Sequence, residues 1–218
     1  ELIRLSNKPI AAPSANTSGK PSPTRAEHVI EDMQGKIPFI IDGGETGVGL
    51  ESTVLDLTDD IPMILRPGGI TLEDIIGVLG QCGIDPGLED NINNIIPKSP
   101  GQKYRHYAPK AQMYVFSGDM DNVNREILKR AIDARSRGQR VGIMTTTEKQ
   151  EQFLDFDVEI MGSSKDIETI AHNLFHLIRK LDEKNVDLIL CQGVERDNMG
   201  LAIMNRLNKA SGGNIIYV

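Results

Sequence analysis

The sequence predicts an α/β chain in two parts: a twisted α/β segment that reads as truncated, then a small, mostly parallel Rossmann-like α/β domain. Three observations predict it. Strand and helix patterns alternate from residue 111 to the end, as they do where helical crossovers join parallel strands. The run 186–191 is apolar except for Asp187, which suits a strand covered by helices on both faces. Residues 1–85 instead scatter short apolar runs among glycines and prolines, too few strands to complete a sheet alone.

In order along the chain, TRAE (24–27) has the form of a capping box, with Thr24 as the cap of a helix over 25–33. Residues 38–42 (PFIID) read as a buried strand that stops at Gly43-Gly44. Residues 52–57 and 62–66 are two more strands around the polar turn 58–60. TLED (71–74) starts a helix that ends near Gly80 or Gly83. Prolines and glycines then break 86–110 into a long connector, and loops of that length are usually functional or flexible. Beyond it come a strand at 113–116, a helix around 123–132, and strands at 140–144 and 158–161. Ile167, Ile170, Ala171, Leu174, Leu177, Ile178 and Leu181 mark one face of an amphipathic helix. The strand 186–191, a helix over 198–210 and a strand over 214–218 complete the pattern. The parts are therefore 1–85, the connector 86–110 and 111–218.

The length of 218 residues allows a sizeable core in one large domain or two small ones. A net charge of −7 argues against broad, nonspecific coating of nucleic acid. No apolar run approaches the roughly 20 residues that span a bilayer, so no membrane association is expected. Cys82 and Cys191 lie in unrelated contexts, which suggests neither a disulfide framework nor a metal cage; a reducing cytoplasm is the simplest compartment. The chain opens on Glu1-Leu2-Ile3-Arg4-Leu5 without Met, as if inside a folded element, and a fragment is expected.

The stretch IAAPSANTSGKPSPT (10–24) gathers Ser14, Asn16, Thr17, Ser18, Lys20, Ser22 and Thr24 around three prolines. It lacks P-loop spacing, and 43–49 lacks the dinucleotide fingerprint. Small residues and hydroxyls can still bring backbone amides close to an anion, although a Pro-punctuated turn into the next helix would look the same. Thr46, Glu51 and Ser52 could wall a pocket, or sit on a mobile hairpin tip. Arg66, at a strand end before Pro67-Gly68-Gly69, could fork onto a phosphate or form a surface salt bridge. His28 and His106 stand apart from other ligands in sequence, and His172/His176 at i, i+4 lack an evident third, so no metal site is expected. Asp182 and Glu183 read as a solvated face.

Four ordered blocks, APSANTSGKPSPT (12–24), DGGETGVGLESTVLDL (42–57), ILRPGGIT (64–71) and SPGQKYRHYAPKA (99–111), resemble the two-domain threonylcarbamoyl-AMP synthases. GLAIMNRLNKAS (200–211) is similar to that family's C-terminal accessory domain. The resemblance implies an enzyme that converts L-threonine, bicarbonate and ATP into L-threonylcarbamoyl-AMP and pyrophosphate, with Mg²⁺ carried by the triphosphate. The product would feed the tRNA-modification machinery that makes threonylcarbamoyladenosine. By motif, Ala12 and Ser52 would contact L-threonine, while Ser14, Ser22 and Arg66 would hold the nucleotide. Asn16 would support the loop, and Tyr104, in the connector, would close over the nucleotide as a lid. The family's N-terminal half has no counterpart in these blocks, so the chain is expected to be inactive alone. The rival reading is a module that binds double-stranded RNA or tRNA without catalysis, through Lys98, Lys103, Tyr104, Arg105, Tyr107 and Lys110.

Overall fold

A computed structural model describes residues 1–88 and 107–218. Tyr104, Lys98, Lys103 and Arg105, and with them most of the expected lid and RNA contact strip, lie outside the described residues.

The first part carries two short helices before its strands, α1 (Leu2–Ser6) and α2 (Ala26–Met33). The strands are β1 (Val54–Asp56), β2 (Met63–Arg66) and β3 (Gly83–Ile84), in the order β1-β2-β3, with α3 (Leu72–Leu79) between β2 and β3. β1 and β2 are antiparallel, with Val54 opposite Arg66 and a register irregularity between Val54 and Leu55; β2 and β3 are parallel. Asp56 accepts from the Thr58 amide and hydroxyl, which makes the tight polar turn. α3 starts on the expected capping box: Asp74 N donates to Thr71 Oγ1, and Asp74 Oδ2 accepts from Thr71 N.

Two expectations for this part are corrected. α2 is capped at Arg25 without a side-chain bond, because the Thr24 amide is engaged elsewhere: it donates to His28 Nδ1 at 3.1 Å. Residues 38–42 form no strand, and Phe39 and Ile41 are 85% and 79% exposed. A strand needs a hydrogen-bonding neighbour as well as apolar side chains, and no described segment pairs with 38–42.

The second part contains β4 (Gln112–Ser117), α4 (Met120–Ser136), β5 (Val141–Thr145), β6 (Asp157–Ile160), α5 (Ile167–Glu183), β7 (Leu188–Gln192), α6 (Met199–Ser211) and β8 (Ile215–Tyr217). The sheet order is β6-β5-β7-β4-β8, and every pairing is parallel. α5 and α6 cover one face, with Leu174, Ile178, Ile203 and Leu207 in that core; α4 covers the other, with Val123, Ile127 and Ala131. β5 and β7 are buried at every position, which is why their sequences run apolar without alternation. A 3₁₀ segment over Thr147–Phe153 was not anticipated. Among the described residues no helix is long and apolar enough to cross a membrane.

The two parts meet along one side of α5 and α6. Gly49 (φ +79°) lies so close to α5 that an added Cβ would sit 2.5 Å from His172 Cα; only glycine satisfies both the backbone angle and that approach. Between α2 and α5, His28 Nε2 lies 3.2 Å from His176 Nδ1 with the rings stacked. His28, isolated from other histidines in sequence, is therefore buried against the half-buried His176. Because His28 Nδ1 accepts from Thr24 N, its proton sits on Nε2 and points at His176. Burial, then the nearby Arg179 and His176, push the His28 pKa down to about 4. Burial, Arg25 and Lys180 lower that of His176. Both rings are thus held neutral in the folded state while the unfolded chain protonates near 6.5. Their contribution to stability is complete above that value and lost as pH falls toward 4. The denaturant midpoint should drop between pH 7 and pH 5 by more in the parent than in His28→Gln; equal drops would show that the pair contributes nothing.

Candidate active site

Three sequence blocks converge on the segment 51–53. Arg66 Nε donates to the Ser52 carbonyl at 3.0 Å and Nη2 to Ser52 Oγ at 3.2 Å. The Thr53 hydroxyl donates to Ile70 O and accepts from Ile70 N, so both ends of RPGGI clasp the EST tripeptide. Gly68 makes the clasp possible: a Cβ there would lie closer than 3.0 Å to the Glu51 carbonyl oxygen and the Thr53 nitrogen.

From the third block, Ser22 Oγ donates to Glu51 Oε1. The other carboxylate oxygen takes Arg206 Nε of α6 at 2.7 Å, and Arg206 Nη2 lies 3.4 Å from the Glu51 carbonyl. The Tyr107 ring, 7% exposed, packs on Phe175 with centroids 4.9 Å apart, and the Arg206 guanidinium lies 5.9 Å from it. Burial pulls the Glu51 carboxyl upward, but Arg206 and the Ser22 hydroxyl outweigh it and hold it below its usual range. Burial, and then the Glu51 charge, push the Tyr107 phenol up to about 12. Lys209, one turn past Arg206, is brought down to about 8 by burial and then by the Arg206 charge. The cluster therefore sets the cations Arg66, Arg206 and Lys209 around one carboxylate, an environment that favours an anionic ligand.

The loop before this cluster is held by a buried acid. Asp32 accepts from Thr17 N at 3.1 Å, Lys20 Nζ at 2.7 Å and Arg179 Nη2 at 2.8 Å. Arg179 also donates twice to the Pro21 carbonyl. Lys20, a candidate phosphate ammonium by residue type, is thus engaged with Asp32 and Glu31. Asn16 Nδ2 donates to the Thr17 and Lys20 carbonyls, and Ala108 N donates to Gly19 O, which ties the far end of the connector to the loop.

Of the sequence candidates, Ser22, Ser52 and Arg66 are brought together through Glu51. Asn16 braces the same loop from within. Ala12 and Ser14 are exposed in an irregular stretch and make no hydrogen bond among the described residues. Tyr107 is buried, so it cannot serve as an RNA stacking surface, and Asp182, expected on a solvated face, accepts from Lys110 N at 2.9 Å. Sequence reasoning assigned nothing to Asp32, Arg179 and Arg206. Their signal was available: Arg206 falls within the stripe Ile203, Leu207, Ala210, and a charge inside an apolar stripe needs a partner.

A protein-family model described as "Threonylcarbamoyl-AMP synthase, C-terminal domain" matches residues 70–212. The chain belongs to the threonylcarbamoyl-AMP synthase family. A second model, described as "Telomere recombination", matches residues 1–68. Curated relatives named threonylcarbamoyl-AMP synthase include those of Bacillus subtilis (strain 168), 48% identical over 99% of this chain, and Pyrococcus abyssi (strain GE5 / Orsay), 49% identical over 100%. The chain spans 60% and 62% of the length of those two synthases. The crystal structure of P. abyssi Sua5 complexed with L-threonine superimposes with a TM-score of 0.89, at 49% identity, covering all of this chain and 62% of that one. The mixed α/β synthase fold with its parallel sheet is thereby established for the chain.

Proposed function

We propose that this chain carries one wall of the site in which L-threonine, bicarbonate and ATP give L-threonylcarbamoyl-AMP and pyrophosphate, the adenylate serving threonylcarbamoyladenosine modification of tRNA. The observation that carries the reading is the fork of Arg66 on Ser52. It fixes a guanidinium beside a hydroxyl, with Nη1 outside the fork, where it could meet a phosphate. The L-threonine in the P. abyssi Sua5 structure supports it.

In this reading Ser52 and Ala12 contact L-threonine, Ser14, Ser22 and Arg66 hold the nucleotide, and Asn16 keeps the loop in shape. Tyr104 would cover the nucleotide, and the chain would act in the cytoplasm. The threonine amine attacks bicarbonate carbon, and one C–O bond breaks so that an oxygen leaves as water with the protons the amine and bicarbonate give up, which yields a carbamate. A carbamate oxygen then attacks the α-phosphorus, and pyrophosphate departs with the electrons of the α–β bridging bond. No protein nucleophile is required; holding the reactants in line and neutralising their charge supply the rate. Glu51 spends its oxygens on Ser22 and Arg206 and does not fit Mg²⁺ as a ligand, so the ion would be carried by the triphosphate.

Arg66→Ala should lower threonine-dependent pyrophosphate release by about 10- to 100-fold, the worth of a charged hydrogen-bond pair. Pyrophosphate release that ignores L-threonine in the parent protein would overturn the reading.

A further inference from the structure

We infer that Arg206 of α6 is a positioning residue for the threonine-and-nucleotide wall, acting through Glu51 on Ser22; the inference rests on the reading above. Arg206 is fully buried, and its side chain ends on Glu51, 155 residues earlier in the chain. Glu51 is the residue before Ser52, and its other oxygen receives the Ser22 hydroxyl. One guanidinium thus sets two separate blocks at once: the EST tripeptide through the Glu51 side chain and carbonyl, and PSPT through Ser22. Asn205 Oδ1 holds Nη1 at 3.0 Å, so the fork cannot rotate away from Glu51 without losing a second partner.

The arrangement gives the second part of the chain a defined task at the site. The Glu51 carboxylate without its guanidinium would keep the Ser22 and Tyr107 hydroxyls but lose the buried cation that forks onto it, and it would turn toward solvent. Ser52 and Ser22 would move with it, and Arg66 would follow, because its fork ends on Ser52. Arg206 itself needs no contact with substrate for this effect.

The test varies L-threonine and ATP separately in pyrophosphate release by the protein. Arg206→Met should raise KM for L-threonine about 100-fold, the scale of a misplaced binding wall, while kcat at saturating threonine falls less than about tenfold. A merely structural role would do the reverse, lowering kcat with the folded fraction and leaving KM unchanged. Arg206→Lys, which keeps the charge, should recover about tenfold of the loss. Ser22→Ala should weaken the parent protein but add nothing to Arg206→Met, since both act on one chain of contacts. Unchanged KM, or full additivity of the two substitutions, would sink the inference. If Arg206→Met does not fold, Glu51→Gln probes the same link and should show the same KM increase and non-additivity with Ser22→Ala. Hydrogen exchange separates this claim from the enzymatic reading. Arg206→Met should speed exchange at residues 20–24 and 50–53 and leave α4 unchanged, whatever the activity; equal exchange in both segments would overturn the link.

Discussion

Arg179→Met lowers the unfolding free energy by about 3–5 kcal/mol, the usual consequence of removing one partner from a buried pair. The Asp32 side chain has no exposure to solvent and that of Arg179 has 3%. Burial alone would raise the Asp32 pKa, yet the hydrogen bonds from Arg179 and Lys20 and from the Thr17 amide hold it well below the usual carboxylate range. Without Arg179 that carboxylate keeps only Lys20 and Thr17, and the Pro21 carbonyl loses both its donors. Arg179→Lys preserves a positive charge but cannot fork between Pro21 and Asp32, so it should recover less than half of the loss. Urea denaturation followed by circular dichroism measures both. A loss below about 1 kcal/mol for Arg179→Met would mean that the pair is no more useful than an exposed one.

Gly68→Ala should abolish measurable L-threonine binding, a loss beyond about 100-fold, and cost about 3 kcal/mol of stability. The atoms that a Cβ would strike are all backbone, from Glu51 to Thr53. They cannot rotate aside as a side chain would, so residues 51–53 have to move away from residues 66–69. The Arg66–Ser52 fork and the Thr53–Ile70 pair then open together. Gly69→Ala is the control: its Cβ would meet only the Val48 methyls, at 3.0 and 3.3 Å, and binding should stay within about threefold of the parent. Isothermal titration with L-threonine distinguishes the two, and similar affinities for both variants would show that the clasp does not shape the site.

The parallel sheet of the second part was legible because its evidence is local. Runs such as 186–191 suit strands under two layers of helix, and α4, α5 and α6 each show their own apolar stripe. Residues 38–42 failed for the opposite reason. Phe39 and Ile41 have the composition of a strand, but pairing is a property of two segments, and a reading of one cannot supply the other. The capping box at Thr24 failed because His28, four residues on, took the amide that a helix start would leave to solvent. At the site, Ser52 and Arg66 could be found because each lies in a recognisable block, and the antiparallel turn of β1 and β2 brings the blocks together. The Glu51–Arg206 and Asp32–Arg179 links span 155 and 147 residues. No periodicity relates positions so distant, and the only local trace of each link is a charge placed where the helix should have been apolar.

One flank of α5 presents His172, His176 and Arg179 in successive turns to Gly49, His28 and Asp32. Each pairing has its own chemistry: a bare backbone, a ring-to-ring hydrogen bond and a forked charge. A lineage that alters one member inherits a mismatch that only a change in the distant partner repairs. The two parts of this chain are therefore bound to drift as a single hereditary unit, and a hybrid spliced from diverged relatives between residues 88 and 107 would bring together surfaces that had never been adjusted to each other.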